Sequence, residues 1–292
     1  MNDAQPTAQP TAKRRGRYAI VPHLLLVPFT FVTLYPVLYV VKLALSGTSG
    51  ATASAAPWPT RFDLSAFSTV VGRTDANGTW LFGAQLWNSL VISLLTTVLG
   101  IVLAASAAYG FARFEFPGRR VGLLGFLATQ MFPGILTLIP LYVLIEALGL
   151  LDTTAGLVLV YATSAVPFCT WTLKGYFDTL PKDLEESAIL DGASRLTIFL
   201  RIILPLSAPA IAVTALFSFM SAWNEFVLAH TFLSSEASFT LPVQIRNYVG
   251  DKEVQWALFA AASLIVSLPV MALFYALERH LVGGLTAGGV KG

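Results

Sequence analysis

Residues 181–209 read PKDLEESAILDGASRLTIFLRIILPLSAP. Pro181 with Asp183 marks a helix start, because proline suits the first turn and an acid complements its free N–H groups. Leu184, Ala188, Ile189 and Leu190 give that helix an apolar side. Gly192 follows where a helix needs a left-handed residue to stop. Ser194 is placed to cap the next helix. Pro205 and Pro209 then open a long apolar run. The stretch is therefore a helix, a tight turn and a second helix. It lies within 174–201, a segment that holds nine charged side chains: Lys174, Asp178, Lys182, Asp183, Glu185, Glu186, Asp191, Arg195 and Arg201.

The rest of the chain is quite different. Of its 292 residues 55% are hydrophobic and only 12% charged, against about 25% charged in an average soluble domain. Mean hydropathy is +0.71. So few charges cannot coat a soluble fold of this size, and the composition also excludes disorder and coiled coil. A net charge of +2 points to no nucleic acid or other polyanion. The single cysteine, Cys169, excludes a disulfide framework. His23, His230 and His280 are scattered, so no metal or catalytic cluster is expected. An integral membrane protein remains.

A helix needs about 20 residues to cross a hydrocarbon core of about 30 Å. Runs without charged Asp, Glu, Lys or Arg occupy 18–41, 87–111, 121–145, 153–173, 202–224 and 254–277. Backbone groups in lipid must be satisfied within the segment, so six transmembrane helices are expected. The first run is too long for a signal-peptide core and lacks a nearby cleavage site. Pro22, Pro28 and Pro36 predict kinks in it. With the N-terminus inside, 13 of the 18 Lys and Arg residues fall on the cytoplasmic side and 5 outside. Both termini are then cytoplasmic, and so is the helix–turn–helix at 181–201. The expected organisation is a tail at 1–17, a transmembrane domain at 18–281 and a tail at 282–292. Trp87, Trp171, Trp223 and Trp256 near span ends have two readings, an aromatic stack for a sugar ring or, more commonly for such positions, interfacial anchors.

The spacing in the quoted segment is itself informative. Glu186, Ser187 and Ala188, then Gly192, then Ile202, Leu204 and Pro205 follow the "EAA" pattern, with only Ser187 departing. A chance match of the six agreeing residues is on the order of 10⁻⁵ in a chain this long. The chain resembles the permeases of ABC importers, and most closely the MalG type of maltose/maltodextrin systems. Phe116–Gly118, Gln130–Pro133, Trp171–Phe177 and the ending Gly284–Gly292 share in that likeness. The resemblance implies a type I ABC importer permease that moves a sugar, maltose or maltodextrin, by alternating access. It also implies partners: a second permease subunit of the MalF type, an ATPase homodimer and an extracytoplasmic sugar-binding protein. No phosphate loop of the form GxxxxGK[ST] is present. The chain is therefore expected not to be an enzyme, with no cofactor of its own and with ATP and Mg held by the separate ATPase.

By the same resemblance, Glu186, Ser187, Ala188, Asp191 and Gly192 couple to the ATPase. Ala287, Gly288, Gly289 and Lys291 of the tail enter the interface of the ATPase dimer. Arg246, Tyr248, Asp251 and Lys252 contact the binding protein. Asn224 and Glu225 are open to two readings: they line the translocation path, or they end a span and pair within the bundle. Two rival classes are also weighed. An ion-coupled secondary transporter would carry intramembrane ionisable groups and internal repeats, where one acid near a span end is seen. An intramembrane enzyme would need Ser/His, paired Asp or HExxH, and none occurs. A permease for another oligosaccharide stays open. The expected location is the inner membrane of a prokaryote.

Overall fold

The computed structural model describes residues 20–47, 56–59, 62–250 and 254–287. Among these the chain is built of helices, with only isolated β-bridges. In order they are α1 (Ile20–Ala44), α2 (Ser65–Val71), α3 (Leu81–Arg113), α4 (Arg119–Met131), α5 (Gly134–Ala147), α6 (Thr154–Phe177), α7 (Asp183–Leu190) and α8 (Arg195–Ile198). A π-helical turn at Phe199–Ile203 leads into α9 (Leu204–Leu206). Then come α10 (Ala208–Trp223), α11 (Val227–Phe232), α12 (Leu241–Asn247) and α13 (Trp256–Ala287).

Among the described residues four helices are long and apolar enough to cross a membrane: Pro22–Ala44, Leu81–Arg113, Thr154–Phe177 and Trp256–Glu278. The other two apolar runs are bent pairs, which make up to six spans if each pair counts as one. The third run, expected as one helix, breaks by 101° between α4 and α5. The break has a local cause. A residue before proline avoids the helical region, and Phe132, ahead of Pro133, sits at φ −76 ψ 128. The fifth run bends by 77° at Ser207. There Pro205 has no N–H to give to Arg201, and the backbone widens so that Leu204 N–H reaches Phe199 O instead.

Helix α3 is the hub, packed against α6 and α10. Gly100, Ala104, Ala108 and Ala112 recur every fourth residue and are all buried. Small residues at that spacing let helix backbones approach closely in a membrane. The three alanines meet Cys169, Leu173 and Phe177 of α6 in one core. The large exposed faces of α1, with Leu25, Phe29 and Val32 at 70%, 69% and 72% exposure, suit lipid or another subunit and not water. Ala108→Leu should overpack the α3–α6 contact at a cost of about 1–3 kcal/mol. A lower thermal midpoint in detergent is the expected result; an unchanged one would show that the contact is loose.

On the side expected to be external, the Asp75 carboxylate accepts the backbone N–H of Thr79 at 2.7 Å and of Asn77 at 2.8 Å. These bonds hold its carboxyl below the usual range. Arg73 pairs with Glu236 at 3.0 Å.

Candidate coupling surface and polar groups of the bundle

The helix–turn–helix forms as its residues dictate. Asp183, Glu185 and Glu186 occupy the first turn of α7, where acids favour the positive end of the helix dipole. The helix ends on Gly192 at φ +83. Gly192 N–H donates to Ile189 O and Ala193 N–H to Ala188 O, both at 2.9 Å. This is the paired hydrogen bonding that closes a helix on a left-handed residue. Ser194 Oγ then accepts Thr197 N–H at 3.2 Å and starts α8.

The apolar side of α7 is left largely uncovered. Leu184, Ile189 and Leu190 are 44%, 40% and 88% exposed. Only Ala188 joins a core. The inward anchor is Glu185, at 3% exposure. It accepts Tyr109 OH at 3.0 Å and forms an ion pair with Arg113. Sequence reasoning missed both partners, since a charged pair 72 residues apart leaves no local signal. Glu186, Ser187, Asp191 and Gly192 are all exposed. The loop thus offers an exposed face of three aliphatic side chains and three acids, Asp183, Glu186 and Asp191. Such a face, held beside a membrane domain, suits a protein partner.

Asn224 and Glu225 are adjacent in sequence yet point apart. Asn224 borders a hollow of about 460 Å³ that Arg246 also lines. Glu225 turns into a small pocket of about 90 Å³ that Thr96, Tyr161, Ser164 and Ser218 also line. Its carboxylate accepts Tyr161 OH at 2.8 Å and the N–H groups of Leu228 and Ala229 at 2.9 and 3.0 Å. That geometry caps α11 and ties it to α6, which favours pairing within the bundle.

Trp223 corrects the reading as an anchor. It is 1% exposed, and its indole N–H donates to Val266 O at 3.1 Å, joining α10 to α13. Trp87, Trp171 and Trp256 do face outward, at 66%, 43% and 48%.

In the loop between α12 and α13, Val249 forms an isolated antiparallel bridge with Val254. Asp251 and Lys252 lie outside the described residues. Arg246 is exposed, and it donates to Val249 O. Tyr248 is buried at 8% exposure in a core with α13, which raises its phenol above the ordinary value. Tyr248 therefore props the loop, with Arg246 and Asn247 exposed beside it. Ala287 is the last residue of α13, while Gly288, Gly289 and Lys291 lie outside the described residues. Among the described residues no group of three or more His, Cys, Asp or Glu could hold a metal.

Three kinds of likeness bear on this arrangement. Residues 96–285 match the family described as "Binding-protein-dependent transport system inner membrane component". The chain is 36% identical over 284 residues to the trehalose transport system permease protein SugB of Mycobacterium tuberculosis, covering 96% of this chain and 99% of that protein. It is 37% identical over 283 residues to the maltose/maltodextrin transport system permease protein MalG of Escherichia coli, covering 93% and 95%. In fold it is similar to a solved bacterial ABC transporter involved in the import of the acidic polysaccharide alginate, with a TM-score of 0.77, 24% identity and coverage of 93% and 99%. These relatives are transporter subunits and not enzymes, and the several apolar helices make this chain a multi-pass membrane protein. The chain belongs to the inner membrane permease components of binding-protein-dependent ABC transport systems.

Proposed function

We propose that this chain is one permease subunit of an ATP-driven importer of sugars, and that its cargo is an α-glucoside of the maltose/maltodextrin kind. The single observation that carries the reading is the exposed coupling face at 183–192, closed by Gly192 and bearing Glu186 and Leu190. A second subunit of the MalF type would complete the path. An ATPase homodimer, which would hold ATP and Mg, would receive the coupling face. Helix α13 has 32 residues, about 48 Å at 1.5 Å per residue. It outruns a core of about 30 Å, so it would carry the 287–291 tail toward the ATPases. Arg246, with Asp251 and Lys252, would meet a sugar-binding protein on the other side.

Trehalose is the second reading. The relative named for it is matched over nearly its whole length. The test is uptake into vesicles holding the full complex, with trehalose, maltose and maltotriose. ATP- and binding-protein-dependent entry of maltose or maltotriose is the expected result. Faster trehalose entry would favour the second reading. Entry driven by an ion gradient without ATP would overturn the class.

The orientation is tested separately. Single cysteines at 15, 118 and 290 should react only from the cytoplasm, and ones at 75 and 250 only from outside. External labelling at 118 would sink the six-span map.

A further inference from the structure

Helix α3 carries polar side chains at both ends, and each set grips a different loop. At one end Arg113 and Glu185 form an ion pair whose side chains are 5% and 4% exposed. Arg113 Nη2 also donates to Leu180 O at 3.2 Å, just before α7. Tyr109, one helical turn back, donates its OH to Glu185 Oε2 at 3.0 Å. The Tyr109 ring lies 5.0 Å, centroid to centroid, from Phe199 of the π-helical turn. One turn of α3 therefore holds both arms of the coupling loop.

At the opposite end Asn88 Nδ2 donates to Ala237 O at 2.7 Å and Phe239 O at 3.2 Å. Gln85 Nε2 donates to Glu236 O at 3.0 Å. Ser89 Oγ accepts Leu241 N–H at 2.7 Å. These bonds fix the segment that leads into α12 and Arg246. Between the two ends α3 has 33 residues and no proline. At about 1.5 Å per residue it is about 50 Å long.

A buried ion pair is a poor device for stability alone, because desolvation offsets most of its attraction. What it does fix is geometry. Glu185 and Glu186 point about 100° apart on α7, one inward and one outward. A push on the outer face is thereby delivered to α3 through a joint with no slack.

We propose that α3 is the rod linking the coupling loop to the 236–247 segment, and that Arg113, Glu185 and Tyr109 are positioning residues forming its joint with the coupling loop. The inference rests on the reading of 183–192 as the ATPase-docking face. Closure of the ATPases displaces α7 as a body, and the joint makes α3 follow. By linkage, a change in equilibrium imposed at the outer loop also acts on the coupling face.

The test uses the whole complex in proteoliposomes, with whichever of trehalose, maltose and maltotriose the wild type carries fastest. Glu185→Gln keeps the size of the side chain and removes its charge. Tyr109→Phe keeps the ring and removes one hydrogen bond. Uptake and turnover are read per assembled complex, because Glu185→Gln leaves the buried Arg113 charge without its partner. ATP turnover should persist while uptake falls by about tenfold for Glu185→Gln, within the range expected of coupling between sites. ATP hydrolysed per sugar then rises, with a smaller rise for Tyr109→Phe. An unchanged ratio in both variants overturns the proposal. So does a loss of uptake and turnover in step with lost assembly in both, which would mean a folding role alone. Glu186→Lys is run alongside. If it docks normally, the coupling-face reading itself has failed; if it alone impairs docking and Glu185→Gln changes nothing, only the joint has failed.

Discussion

Gly192→Val is expected to lower sugar-stimulated ATP turnover and uptake by more than tenfold while the helices still insert, a loss of at least about 1.4 kcal/mol in coupling. A side chain at this position would meet no atom within 4 Å, so space is not the obstacle. The obstacle is the backbone. Gly192 sits at φ +83, and a β-branched residue resists that region. Strain of this kind costs about 1–3 kcal/mol. Helix α7 has only eight residues, too short to be stable without its end bonds. The cheapest relief is to give up the bonds from Gly192 N–H and Ala193 N–H, which unwinds the last turn. Leu190 and Asp191 then leave the face that a partner would read. Gly192→Asn is the control, since asparagine visits the left-handed region more readily, and it should keep most of the activity. Full assembly and turnover in the valine variant would show that the turn is not needed in this form.

That turn was legible in the sequence because its causes are local. Gly192 and Ser194 act on their own backbone neighbourhoods, and the apolar runs mark the spans by length alone. What the sequence concealed has non-local causes. Glu185 looks like any solvated acid of an acidic first turn, and only the folded bundle brings Tyr109 and Arg113 beneath it. Trp223 and Tyr248 look like residues of a span end and a loop. They are buried because α13 returns to cover them. The break before Pro133 was within reach: a proline following Phe132 in mid-run is a recognisable stop. It was obscured because membrane helices often pass through proline, as α1 does at Pro28 and Pro36. The surface residues of the coupling loop came from the spacing of the motif, and their outward placement needed the fold.

Glu225→Ala should destabilise the bundle, and the size of the effect decides between the two readings of this acid. The alanine variant removes a cap on α11, worth about 0.5–2 kcal/mol. It also strands the hydroxyl of the buried Tyr161, at about 1–3 kcal/mol. The two losses share one carboxylate and need not add. A total of about 2–4 kcal/mol is expected, read as a clear fall in the thermal midpoint of the purified complex. Tyr161→Phe removes only the hydroxyl and leaves Glu225 bonded to Leu228 and Ala229, so it should cost about 1 kcal/mol. Glu225→Gln keeps one oxygen as an acceptor and should fall between the two. Uptake in all three should track the amount of folded complex. A Glu225→Ala protein that melts like the wild type yet carries no sugar would reverse this assignment. The carboxylate would then belong to the translocation path, and its bonds to Tyr161 and α11 would describe only the resting arrangement of a group that meets the cargo.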